Sequence, residues 1–253
     1  MKNNKIIMNK ILLISIFSLF IFSCKKNKTS TEPAKSADVT IQYNNNISGM
    51  PIVEGKYDYT NAAGNIYNVL LMKYYVTNVV LMTDYNVEVK LNNYDLIDAF
   101  NPQEFSTVQA KNIPNGTYKT MKFYLGIDSS HNHTGAQTGA LDPSNGMIWD
   151  WNTGYLFFKH EGKFISTLGD TTQLSYHLGT DKALSTIYLP IDLVVNGVNK
   201  TMNIDFDLNK MYANPVVDFN NNNFHHSTEV GDRAWINSMI INAQNAFSFK
   251  SSN

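Results

Sequence analysis

Apolar and polar residues alternate with a period of two over most of the chain, and that pattern predicts strands. The segment "DVTIQYN" at 38–44 alternates cleanly. The run "YNVLLMKYYVTNVVLMT" at 67–83 is rich in Val, Leu and Tyr and is long enough for one bent strand or two short ones. "NVEVKLN" follows a turn at Asp84–Asn86 and reads as the return arm of a hairpin. "GTYKTMKFYLGID" at 116–128 sets Tyr118, Met121, Phe123 and Leu125 in a strand-like run. The strongest local signal is "TIYLPIDLVVNGVNKTMNIDFDL" at 186–208, two strands joined at Asn196–Gly197, the dipeptide of a type I′ hairpin. Pro190 demotes the first of these to an edge strand or a bulged one. Only near the C-terminus does the period change: Trp235, Ile236, Met239, Ile240, Ala243 and Phe247 share one face at 3.6-residue spacing. The fold class is therefore mainly β, an antiparallel β-sandwich or barrel-like domain with a C-terminal α-helix.

The first residues follow a different pattern. Lys2, Lys5 and Lys10 precede "ILLISIFSLFIFSC", an apolar run too short for a durable membrane span and suited to a secretory signal. It closes on a small residue before Cys24, the only cysteine, and this resembles a bacterial lipobox. Residues 1–23 are thus expected to be a lipoprotein signal peptide and Cys24 the lipid acceptor. Residues 24–37 then form a lipidated cysteine and a polar tether, "KKNKTSTEPAKSA", which lacks the large apolar residues needed to order itself. Residues 38–253 follow as a single β domain. The expected location is the bacterial cell envelope, lipid-anchored to the membrane through Cys24 and facing the periplasm.

A lipidated Cys24 leaves the folded body without a thiol. Disulfides are then excluded, and any metal site has to use His, carboxylates, Met or a modified residue. The net charge of −1, with 16% charged residues, supplies no basic footprint for nucleic acid. Hydrophobic residues at 43% and aromatic residues at 12% suit one well-cored domain, and no linker or fixed-period repeat divides it.

Candidate chemistry concentrates in the middle of the chain. "GMIWDWNTGYLFFKHEG" at 146–162 holds Trp149 and Trp151, two of the three tryptophans. The long polar loop "DSSHNHTGAQTGALDPSNG" at 128–146 precedes it, and loops of that length in compact domains are usually functional or disordered. In an extended segment residues i and i+2 point to one side, so "HNH" would present His131 and His133 together, and Trp149 and Trp151 would do the same. His160, at a strand end in "FFKHEG", reads as a surface histidine. His177 ends the run "SYHLGTD". His225 and His226 point opposite ways if extended, so at most one of them serves a given site. No nucleophile–base pair, phosphate loop or paired-carboxylate arrangement stands out, and an enzyme is not expected.

Ordered motifs then suggest a family. Leu125–Gly126 precedes the polar loop, followed by Leu141–Asp142–Pro143, Met147–Ile148–Trp149–Asp150–Trp151, Gly154–Tyr155 and His177–Leu178–Gly179. Together with the terminal segment "RAWINSMIINAQNAF", this resembles the MbnP-like copper-binding proteins, methanobactin-associated β-proteins of the periplasm or its lipid anchors. The resemblance implies a copper cofactor and, as partner, a dihaem enzyme of the cytochrome c peroxidase type that oxidises a tryptophan to kynurenine. The aniline-type nitrogen so formed, unlike an indole, can ligate copper beside imidazoles. By this resemblance Trp149 or Trp151 is the modified residue, and His177 with His133 or His131 supplies the imidazoles. Two other readings stand beside it. Trp149, Trp151 and Tyr155 can form a platform for a glycan or small ligand, although the tether "KKNK" is basic where surface-export tethers tend to be acidic. The aromatic strand can also be plain core in an envelope scaffold.

Overall fold

The computed structural model describes residues 35–149, 154–227 and 232–253, all within one compact unit, Ala34–Asn253. The signal segment, Cys24, most of the tether and Trp151 lie outside the described residues. Among the described residues no helix is long and apolar enough to cross a membrane.

The period-two runs become strands. They are β1 (Ser36–Ile47), β2 (Met50–Pro51), β3 (Tyr59–Thr60), β4 (Ile66–Tyr67), β5 (Leu71–Thr83), β6 (Glu88–Lys90), β7 (Tyr94–Asp98), β8 (Thr107–Pro114) and β9 (Gly116–Leu125). A one-turn helix α1 (Ser129–Asn132) follows, then β10 (Leu156–Ile165), β11 (Thr171–Gly179), β12 (Ser185–Val195), β13 (Lys200–Asp207) and β14 (Phe224–His226). Helix α2 (Arg233–Ala246) and β15 (Phe247–Ser252) end the chain.

They form two sheets. In the smaller, β1 pairs antiparallel with β8 and parallel with β13, which in turn carries β15. In the larger, β5 pairs with β10 through Leu71–Tyr74 and with β9 through Val76–Thr83, shifting register after Thr77. It is one bent strand. Strand β12 flanks β9, and β11 flanks β10. The sheets face each other across aromatic residues drawn from both: Tyr43 and Phe206 from the smaller sheet meet Tyr74 and Phe123 from the larger. Phe247 contacts all four rings. The fold is mainly β with curled sheets and a C-terminal helix, as the alternation predicts, and its sandwich core is built by this alternation of inward side chains.

Two expectations need correction. Residues 186–208 do form two strands around Asn196–Gly197, with Gly197 at φ +83°, but they are not a hairpin. β12 pairs with β9 and β13 with β1 and β15, so the turn carries the chain from one sheet to the other. Turn chemistry dictates a reversal; the longer ladders offered by β9 and β1 decide the pairing. Pro190 does sit beside a register shift on a strand with a single partner. The second correction is Phe247, which is not on the helix. Helix α2 buries Trp235, Ile236, Met239 and Ala243 as its spacing predicts, but it ends at Ala246, and Phe247 opens the final strand.

Candidate functional site

The site is built on the β10–β11 hairpin. Its register sets Lys159 opposite His177 and His160 opposite Tyr176. Alternation then sends these pairs to opposite faces. Phe158, His160, Gly162 and Phe164 are buried along β10, whereas Lys159 and Glu161 between them are only partly so. His160 is therefore a core residue, and the expectation of a surface histidine fails because its parity matches Phe158 and Phe164. Its Nδ1 lies 2.6 Å from the Tyr212 hydroxyl, and burial pushes its pKa down to about 3.

Strand β14 adds the decisive residues. It runs parallel to β11 with Tyr176 beside His225 and His177 beside His226. The two imidazoles on the outer face stack at 4.3 Å, inclined by only 5°. The Trp149 indole completes the group, its centroid 6.2 Å from that of His177 and 5.9 Å from that of His226. The indole is 6% exposed, so it forms a wall and not a displayed platform. The three rings border a cavity of about 230 Å³, which Lys159, Pro143 and Ile148 also line.

Local sequence explains how Trp149 arrives there. Asp142 accepts a hydrogen bond from the Ser144 N–H and caps a single 3₁₀ turn that begins at Pro143. Gly146, at φ +70°, ends that turn. Leu141 is buried, and its carbonyl accepts from the Tyr155 hydroxyl at 2.9 Å. Met147 and Trp149 then pair back to Leu156 and Gly154 through backbone hydrogen bonds. The Leu-Asp-Pro and Gly-Tyr motifs thus shape the turn that aims the tryptophan.

The electrostatics differ between the two imidazoles. His177 Nε2 lies 2.8 Å from Glu161 Oε1, and Lys159 Nζ is 3.4 Å from the same oxygen. These contacts hold the Glu161 carboxyl down at about 2, the His177 hydrogen bond contributing most. His226 Nε2 is buried with no hydrogen-bond partner among the described residues. Desolvation, followed by the neighbouring His177, lowers the His226 pKa, so the ring is neutral near pH 7. A neutral imidazole is the form that binds metal.

The "HNH" segment behaves differently from the extended geometry expected for it. It falls in α1 and the residue just after, where a helical turn makes neighbouring side chains diverge. His131 Nδ1 meets the Tyr94 hydroxyl at 2.7 Å and Asp128 at 3.2 Å. His133 Nε2 meets Asp181 at 3.0 Å. Between them Asn132 is buried, donating to Asp181 and accepting from the Tyr155 N–H. Neither His131 nor His133 lines the cavity beside Trp149. The structure brings His177 and Trp149 together, sets His226 and Glu161 beside His177, and leaves His131 and His133 away from that cavity. The sequence holds His226 only as one of an alternating pair, because the parallel pairing of a three-residue strand leaves no local trace.

Among the described residues no three His, Cys, Asp or Glu side chains gather into a group that would hold a metal. The cavity offers two imidazoles and, as its third wall, an aromatic ring.

The fold and this turn-borne tryptophan define a class of β-protein, and the chain belongs to the MbnP family, whose model matches residues 36–229. Among solved structures it is similar to MbnP from Methylosinus trichosporium, at 16% identity and a TM-score of 0.49, over 74% of this chain and 80% of that one. No curated protein matches.

Proposed function

We propose that the protein binds copper at His177 and His226, with Trp149 as the residue converted to kynurenine to supply a third donor. The observation that carries this is the convergence of two stacked imidazoles and one indole on a single cavity. Two imidazoles alone are a sparse donor set, and an indole adds no useful lone pair. Opening its pyrrole ring exposes an aromatic amine where the indole stood, and two imidazoles with such a nitrogen suit Cu(I), which tolerates low coordination. Glu161 would serve as the outer partner that fixes the ring orientation and tautomer of His177. His226, neutral and with a buried nitrogen, needs no deprotonation to bind.

Bound copper would supply a redox-capable, nitrogen-ligated centre; the protein's part is to hold two imidazoles together and oriented. A dihaem peroxidase-like enzyme is the proposed oxidising partner, and an envelope lipoprotein anchored at Cys24 the proposed setting. Glycan stacking on Trp149 and Tyr155 is less well supported, because both rings are buried.

The mass of native, envelope-purified protein and its peptide fragments test the modification; ring opening at Trp149 is the expected result. Competition titration with Cu(I) tests the site. Native protein should bind more tightly than protein made without the partner, and His177→Ala or His226→Ala should abolish the difference. An intact Trp149 in native material, with copper binding indifferent to both histidines, would overturn the proposal.

A further inference from the structure

Something must bring a large indole and two imidazoles to within 6.2 Å of each other at a sheet edge, where a three-residue strand is the last element. The residues responsible meet at one peptide of β11. At Gly179 a Cβ would lie 2.7 Å from the Tyr155 carbonyl oxygen and 3.0 Å from both Cζ2 and Nε1 of Trp149. The first contact is with backbone and cannot yield cheaply, and the other two are with the indole itself. Gly179 has ordinary strand geometry, so its requirement for glycine is one of space and not of dihedral angle. The indole rests where any other side chain would begin.

The same peptide is gripped from the other side. The Gly179 N–H donates to Ser227 Oγ at 2.6 Å, and the Ser227 hydroxyl donates back to the Gly179 carbonyl at 2.8 Å. Ser227 is 3% exposed, and its own N–H donates to the His177 carbonyl at 3.0 Å. A side chain thus continues the β11–β14 ladder one step beyond the last paired residues, immediately after His226. Three residues of parallel pairing are a weak clamp by themselves. With Ser227 in place, a one-residue slip would break three hydrogen bonds and send His226 to the opposite face.

We propose that Gly179 and Ser227 are the positioning residues of this site: the glycine admits the Trp149 indole against β11, and the serine locks β14 in the register that lays His226 over His177. This rests on the copper site proposed above, but it makes a claim about the metal-free protein that can be tested alone.

Three variants of the full chain decide it: Gly179→Ala, Ser227→Ala and Ser227→Thr. In metal-free protein the ring-proton NMR shifts of His177 and His226 report their stacking, and the indole signals of Trp149 report its seat. Ser227→Ala should lose the stacking shifts and Ser227→Thr, which keeps the hydroxyl, should restore them. Gly179→Ala should displace the indole signals while the far core, read at Phe123 and Phe206, stays unchanged. Cu(I) affinity of partner-matured protein should fall about 10-fold or more in Ser227→Ala and Gly179→Ala, the scale of an outer-shell loss, and recover in Ser227→Thr. Should Gly179→Ala fail to fold, the serine pair carries the test. Unaltered ring shifts in Ser227→Ala would overturn the proposal. Altered shifts in Ser227→Ala, with no copper affinity in the parent protein, would uphold the positioning and sink the copper site instead.

Discussion

Trp149 and Trp235 each lie against a histidine of β14, one on either face of that three-residue strand. On the inner face the His225 ring stacks on Trp235 at 4.6 Å and 14°, with Asp232 at 2.9 Å from Nδ1 and Asn222 at 3.0 Å from Nε2. Both imidazole nitrogens are engaged, and Tyr176 closes the group at 5.5 Å from Trp235. On the outer face His226 stacks on another imidazole, its Nε2 has no hydrogen-bond partner among the described residues, and a cavity opens beside Trp149. The residue types are nearly the same. What separates the two histidines is that both nitrogens of His225 have partners, whereas His226 Nε2 has none among the described residues. An imidazole with both nitrogens engaged strengthens the core, and one with an unengaged nitrogen beside a void retains binding capacity.

The largest test of that contrast is ligand removal. His226→Ala should reduce Cu(I) affinity by more than the roughly 10–100-fold that outer-shell losses cost, and competition titration measures it. Equal binding by His225→Ala and His226→Ala would erase the distinction between the faces. Next comes Glu161→Gln, which keeps the shape but weakens the hold on His177; a loss of about 10-fold in copper affinity is expected in the same titration. His225→Ala should leave copper affinity within about threefold while costing about 1–3 kcal/mol of stability by urea denaturation, since it strands the buried Asp232 and uncovers Trp235.

A smaller effect concerns His160, whose Nδ1 meets the Tyr212 hydroxyl while its Nε2 is buried with no hydrogen-bond partner among the described residues. Its folded pKa near 3 lies below the ordinary value of 6.5, so between those values the unfolded chain binds a proton that the folded chain refuses. The stability it contributes is complete above pH 6.5 and is lost as pH falls, with a slope of about 1.4 kcal/mol per pH unit from this one group. His160→Phe should remove that part of the slope in pH-dependent denaturation, whatever its effect on stability at pH 7. An unchanged slope would mean that His160 is not protected from protonation.

How far these places can be read from sequence depends on the range of the interaction. Alternation in "DVTIQYN" and helical spacing from Trp235 to Ala243 are local, and the structure follows both. The turn at Asn196–Gly197 is equally local, yet its two strands part into different sheets, because pairing is settled by residues far away in the chain. His177 and the pair Trp149 and Trp151 could be singled out because they sit in dense motifs. The parity of His160 with Phe158 was available too, but its place near a strand end concealed it. His226 could not be separated from His225, since which of them faces the cavity depends on pairing with a strand nearly fifty residues earlier. His131 and His133 fail to converge because the segment closes one helical turn instead of extending.

The distance in sequence between β14 and β11 has a consequence for when the protein becomes competent. Trp149 and His177 belong to neighbouring stretches and meet once the middle of the chain has folded. His226 is made later, and it enters only when its short strand has docked on the outside of β11. A chain in which β14 has not docked therefore carries one imidazole at that edge and lacks the second. If metal retention needs both, copper would be held only by chains in which β14 has docked on β11, and loading would stabilise that docked state over undocked ones. Such a pocket would act as a checkpoint on maturation, passing over incomplete molecules without any separate device to recognise them.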